Sequence, residues 1–156
     1  MIIPITVHVR ESRVEEFYVR FAEFISDVPD ASEPVRTASG TIPAWAVTDS
    51  AQSIADAFMK EVSFPGRRIL HYMYEGAGKE AVRLRPTELA EKMGHPNGVS
   101  SIAGLLGGVG KAIRRVGLPM YRTPTGKTWH YIWDWDGEYY SMTPEMAKLL
   151  KKAAPR

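Results

Sequence analysis

Three consecutive segments between Ser63 and Gly117 repeat their apolar residues at helical spacing and are joined by short connections. Helices tied together this closely must pack on one another around a shared core. The first, about 64–75, turns Ile69, Leu70 and Met73 inward. "AVRLR" then makes a brief strand. The second helix starts at Pro86-Thr87, with Thr87 as N-cap, and stops at Gly94, where a left-handed residue commonly ends a helix. "HPNG" is a tight turn. The third helix runs to Gly117.

That third helix, "SSIAGLLGGVGKAIRRVG", holds four glycines, Gly104, Gly107, Gly108 and Gly110. Each costs about 1 kcal/mol relative to alanine inside a helix. At about 100° per residue, Val99, Ile102, Leu106, Val109, Ile113 and Val116 form the core stripe. Roughly opposite fall Ser100, Gly104, Gly107, Gly108, Lys111, Arg114 and Arg115, with Gly110 nearer the boundary. A face of small residues followed by cations lets a backbone approach closely and gives the approaching partner a negative sign. A phosphate backbone or a groove floor fits. The competing reading is Gly104-x-x-x-Gly108 as a close helix–helix contact, within the fold or across a dimer.

The flanks add smaller elements. "IIPITVHV" alternates, with Ile3, Ile5, Val7 and Val9 on one face of a strand. Ser12 and Glu15 form a capping box for a helix over about 13–27, with Val14, Phe17, Tyr18, Phe21, Phe24, Ile25 and Val28 at helical spacing. "PDASEPVRTASGTIP" reads as a loop. Asp49 and Gln52 are candidate caps of a helix over about 50–62, with Ile54, Phe58 and Val62 inward. After the third helix, "PMYRT", "TWHYIWDW" and "EYYSM" read as a three-stranded meander. Asp136-Gly137 supplies a two-residue hairpin loop that sets Trp133 opposite Tyr140. Trp129, Tyr131, Trp133, Tyr140 and Met142 then share one face. Thr143-Pro144 caps a closing helix to about 153, with Met146, Leu149 and Leu150 inward.

The 156 residues suit one compact domain, or a small domain with an extension. The expected division is a strand–helix extension with its loop over 1–44 and a principal domain over 45–156. The chain has no cysteine, which removes disulfides, thiolate metal sites and cysteine nucleophiles and fits a cytoplasmic setting. "MIIPITVHV" lacks the basic start and cleavage site of a signal peptide, and no apolar run reaches membrane-span length. Charge is uneven: residues 1–78 carry 7 Lys/Arg and 11 Asp/Glu, and residues 79–156 carry 13 and 7. A polyanion would meet the second half.

The order helix, short strand, helix, tight turn, helix, hairpin resembles a winged helix-turn-helix domain over about 64–154, within an actinobacterial set carrying a short strand–helix N-terminal part. "GRRILHYMYEGAGKEAVRLRPTELAEKMG" resembles the first two helices, "NGVSSIAGLLGGVGKAIRRVG" the recognition helix, and "YRTPTGKTWHYIW" the wing. The expected fold is α+β, mainly helical: a winged helix with a three-stranded β-meander wing, preceded by an N-terminal strand and two helices. The resemblance implies a non-enzymatic double-stranded DNA binder, a nucleoid-associated transcriptional regulator without cofactor. A homodimer would form through the N-terminal strand and helix. Asn97, Ser100, Ser101, Gly104, Gly108 and Lys111 would enter the major groove. Arg114 and Arg115 would touch phosphates, and Arg122, Thr125 and Lys127 would form the wing tip. This sequence departs from the pattern by carrying glycine at the centre of the recognition helix. That gives ground to two alternatives: a protein-interaction module docking a partner helix, or an accessory factor reading modified DNA in phage defence.

Other constellations fall short of chemistry. In "DWDG" Ile132 stands where a calcium loop needs its first ligand. His8, His71, His95 and His130 have no metal-ligand spacing. "GLLGGVGK" lacks the P-loop spacing and has Ala112 in place of Ser/Thr. The aromatic residues of the meander have two uses, stacking on bases or packing the core, and alternation favours the core.

Overall fold

The computed structural model describes residue 4 and residues 6–25, 33–94 and 98–154, with 22–25 by backbone alone. The chain divides into two units, Met1–Ala31 and Ser32–Arg156.

In the first unit a 3-10 turn, Glu11–Arg13, leads into α1, Val14–Ile25. Residues 6–10 form no strand. Ile3 and Ile5 of the expected strand, and Val28 of the expected helix, lie outside the described residues, as do the side chains of Phe24 and Ile25. Ser12 sits inside the 3-10 turn, so the expected capping box is not made. The start of α1 is held instead by Arg13 Nε on Glu16 (3.2 Å) and by Arg20 on the same carboxylate (3.1 Å). Phe17 stacks on Phe21 one turn later.

The second unit is α+β and mainly helical. It opens with a hairpin, β1 (Val35–Thr37) and β2 (Gly40–Ile42), where the sequence reading expects a loop. Three-residue strands carry too little alternation to be read. Their turn is fixed by Thr37, whose hydroxyl donates to Gly40 O (2.8 Å) and accepts from Ser39 N–H (3.2 Å). Ile42 and Trp45 then enter the core.

Five helices follow: α2 (Ala51–Glu61), α3 (Phe64–Gly76), α4 (Pro86–Met93), α5 (Val99–Val116) and α6 (Pro144–Ala153). α2 and α3 each pack on α5, α6 closes over α2 and α3, and α4 packs on α3 and α5. Phe58, Met59, Ile69, Leu70, Leu89, Ile102, Met146 and Leu150 are completely buried at their meeting point. The caps repeat one device: Ser63 Oγ accepts from Gly66 N–H (3.3 Å) and Thr143 Oγ1 from Met146 N–H (3.2 Å). Three expected caps differ. Gln52 does not cap α2 but donates to Asp56 and to Leu149 O (3.1 Å), tying α2 to α6. Asp49 also lies outside the cap position, which Ser50 occupies. Thr87 lies inside α4, whose N-cap is Arg85, with Arg85 N–H donating to Glu88 Oε2 (3.0 Å). Gly94 and Gly117 stop α4 and α5 in the left-handed region, φ 71° and 77°.

The expected single meander is two separate sheets. β3 (Val82–Leu84) pairs antiparallel with β7 (Tyr140–Met142), which pairs with β6 (Asp134–Trp135), giving the order β3-β7-β6. β4 (Tyr121–Arg122) and β5 (Thr128–Trp129) form their own hairpin. The break between β5 and β6 is Tyr131, at φ 59°. A tyrosine in the left-handed region ends the extended run and its alternation. The β6–β7 connection also differs from the expected two-residue loop, because Trp135 pairs with Tyr140. Asp136 Oδ1 accepts the N–H groups of Glu138 and Tyr139, and this side-chain turn replaces the tighter backbone turn.

Candidate nucleic-acid interface

α5 is anchored on one side only. Ile102, Leu106, Val109, Ala112 and Ile113 are buried, as the expected stripe requires, with Ala112 added. Val99, expected inward, is 48% exposed. On the opposite side a Cβ built at Gly104, Gly107, Gly108 or Gly110 meets no described atom within 4 Å. None of the four is needed for helix packing within the described chain. Gly66 shows what such a need looks like: a Cβ there falls 2.8 Å from Val62 Cγ1 and 3.0 Å from Val109 Cγ2, where α3 crosses α5. The α5 glycines thus cost about 1 kcal/mol each without that return.

The cations of α5 separate into two groups. Arg115 reaches back to α2, with Nε 3.6 Å from Glu61 Oε2 and Nη2 donating to Glu61 O (3.2 Å). Lys111 and Arg114 enter no ion pair among the described residues and edge an open groove of about 420 Å³. Gly107 and Gly110 lie on the same edge. The opposite wall comes from β5, β6 and the bend between them: Thr128, Trp129, His130, Trp133 and Trp135, with Tyr140 of β7.

That wall is a close cluster of tilted aromatic rings. Trp129 Nε1 donates to Trp133 O (2.8 Å), and the His130 ring lies between the two indoles at 4.2 and 4.1 Å. Trp135 stacks on Tyr140 at 4.3 Å. His130 Nδ1 accepts Ile132 N–H (2.9 Å), so the proton of the neutral ring sits on Nε2. Burial pushes the pKa of His130 down to about 3. The Trp133 indole N–H is buried without a hydrogen-bond partner among the described residues.

Of the remaining residues expected at the interface, Ser100 is exposed in the first turn of α5 and Ser101 half-buried; Asn97 lies outside the described residues. Arg122 and Lys127 stand exposed on the β4–β5 hairpin, where Thr125 Oγ1 meets Thr123 Oγ1 at 2.9 Å. Thr125 and Lys127 line a second hollow on the other edge of Trp129 and Trp135. The groove thus joins the α5 face to this hairpin through the aromatic wall. The sequence reading gave Trp129, Tyr131, Trp133, Tyr140 and Met142 to the core; Trp133 and Met142 lie in it and Trp129 and Tyr140 pack against it, while Trp129 and Tyr140 also line the groove.

The β6–β7 turn has the opposite electrostatic character. Arg83 holds Asp136 and Arg85 holds Glu138, each at 3.2 Å, and both guanidinium groups lie over the Tyr139 ring. The Asp136 carboxyl is held below its ordinary range by the N–H groups of Tyr139 and Glu138, with Arg83 adding to it. Among the described residues no helix is long and apolar enough to cross a membrane. Compared with protein-family models, curated proteins and solved structures, the chain matches none.

Proposed function

We propose that this protein binds double-stranded DNA without catalysing a reaction and serves as a transcriptional regulator. The open face of α5 would be laid in the major groove and the β4–β5 hairpin on flanking phosphates. The observation that carries the reading is the open glycine face beside two cations with no ion-pair partner among the described residues. Solvent gains nothing from four glycines in a helix, whereas a duplex gains close approach. The order α3, β3, α4, α5, β6, β7, with β7 between β3 and β6, resembles that of a winged helix-turn-helix and supports this reading. In that arrangement the β6–β7 turn is the wing, and its carboxylates are already paired with arginines. Phosphate contact therefore falls to Arg122 and Lys127 on the inserted hairpin. Arg115 is assigned to the α2 junction instead of to DNA.

Fluorescence anisotropy with random duplex DNA tests this. Affinity should fall steeply with salt, each cation on a phosphate adding about one unit of slope. Lys111→Glu/Arg114→Glu should abolish binding, and Arg115→Ala should keep it. A folded wild-type protein that ignores duplex at low salt would overturn the proposal.

A further inference from the structure

We propose that the groove between α5 and the β5–β6 wall is a binding site for a free mononucleotide, with the base on the aromatic wall and the phosphate on Lys111 and Arg114. Four observations converge on that chemistry. The groove, at about 420 Å³, falls within the range of about 300–1,000 Å³ typical of small-molecule sites. Its wall offers flat aromatic surface from Trp129 and Trp135, on which any base can stack. Two donors belong to the wall: the indole N–H of Trp133, buried with no hydrogen-bond partner among the described residues, and the Nε2–H of His130, whose Nδ1 is already engaged. A nucleobase, with ring nitrogens and carbonyl oxygens, answers donors of this kind. Among the described residues no carboxylate lines the groove, while Lys111 and Arg114, three residues apart on one helix face, supply two positive charges to a single phosphate. Gly107 and Gly110 leave that edge bare, so a planar ligand meets backbone instead of side chain.

The inference does not depend on duplex binding. Isothermal titration calorimetry with the full chain and each of the four ribonucleoside 5′-monophosphates tests it. At least one should bind saturably, and the matching nucleoside and ribose 5-phosphate should each bind about tenfold more weakly or worse. Gly107→Leu, compatible with the helix because nothing stands at its Cβ, should fill the groove and abolish binding. Gly104→Leu, on the same helix but outside the groove, should leave binding intact. Three outcomes would overturn the proposal: no heat from any of the four nucleotides, binding unchanged in Gly107→Leu, or binding of single-stranded oligonucleotides with none of free nucleotides. Nucleotide binding without duplex binding would sink only the proposed function. Duplex binding without nucleotide binding would sink only this inference.

Discussion

His130 is the residue whose chemistry departs furthest from its ordinary value. Its ring is buried between two indoles, and its pKa falls to about 3 from an unfolded value of 6.5. Below pH 6.5 the unfolded chain binds a proton that the folded one refuses, so acid favours unfolding. The stabilisation is complete above the unfolded pKa and is lost as pH falls toward 3, with a slope approaching about 1.4 kcal/mol per pH unit. Urea midpoints at pH 7, 6 and 5 should fall for the wild type and fall less for His130→Asn, whose amide oxygen can still accept Ile132 N–H. Parallel declines would show that His130 is not the group responsible. Tyr121 makes a second residue-scale case. Its buried hydroxyl accepts Ala44 N–H at 2.9 Å, joining segments 77 residues apart in sequence. Tyr121→Phe leaves that N–H without an acceptor and should cost about 1–3 kcal/mol in chemical denaturation. A loss below about 0.5 kcal/mol would show the bond to be dispensable. Neither role is legible in the sequence. A histidine among tryptophans does not reveal which ring nitrogen is engaged, and no local pattern ties Tyr121 to Ala44.

At the scale of elements, legibility follows length. α5 is readable because eighteen residues give its stripe several repeats, and Gly94 and Gly117 announce their stops. The β1–β2 hairpin is unreadable because each strand has three residues. The meander misleads because one tyrosine at positive φ resets the alternation, which splits the sheet. The purpose of the glycines is only half legible: the helical wheel sets them outward, but their freedom from any neighbour needs the fold. That freedom makes a paired prediction. Gly104→Ala and Gly108→Ala should each stabilise the protein by about 1 kcal/mol, since the added methyl meets nothing. Gly66→Ala should instead destabilise it by about 1–3 kcal/mol, because its methyl would press on Val62 and Val109. Thermal melts of the three variants decide it. If Gly104→Ala or Gly108→Ala melts lower, something within the protein needs those glycines, and the argument for an outside partner fails.

For the molecule as a whole, the two proposed ligands draw on the same charges. Lys111 and Arg114 would meet phosphate in a duplex seated on α5 and in a nucleotide seated in the groove, and one pair of cations cannot saturate both. If both readings hold, the ligands compete, and the protein releases DNA as nucleotide rises. With nucleotide at ten times its own Kd, the apparent Kd for duplex should rise about elevenfold, and duplex should weaken nucleotide binding reciprocally. Anisotropy titrations at several nucleotide concentrations measure this directly. A proportional rise without a plateau marks mutual exclusion. A plateau marks two sites that are coupled but separately filled. An unmoved duplex affinity at saturating nucleotide would separate the two sites and assign DNA binding to the exposed Gly104–Gly108 end of α5 and the hairpin. Gly107→Leu sharpens the test: it sets a side chain both in the groove and on the face laid against DNA, so it should weaken nucleotide and duplex together.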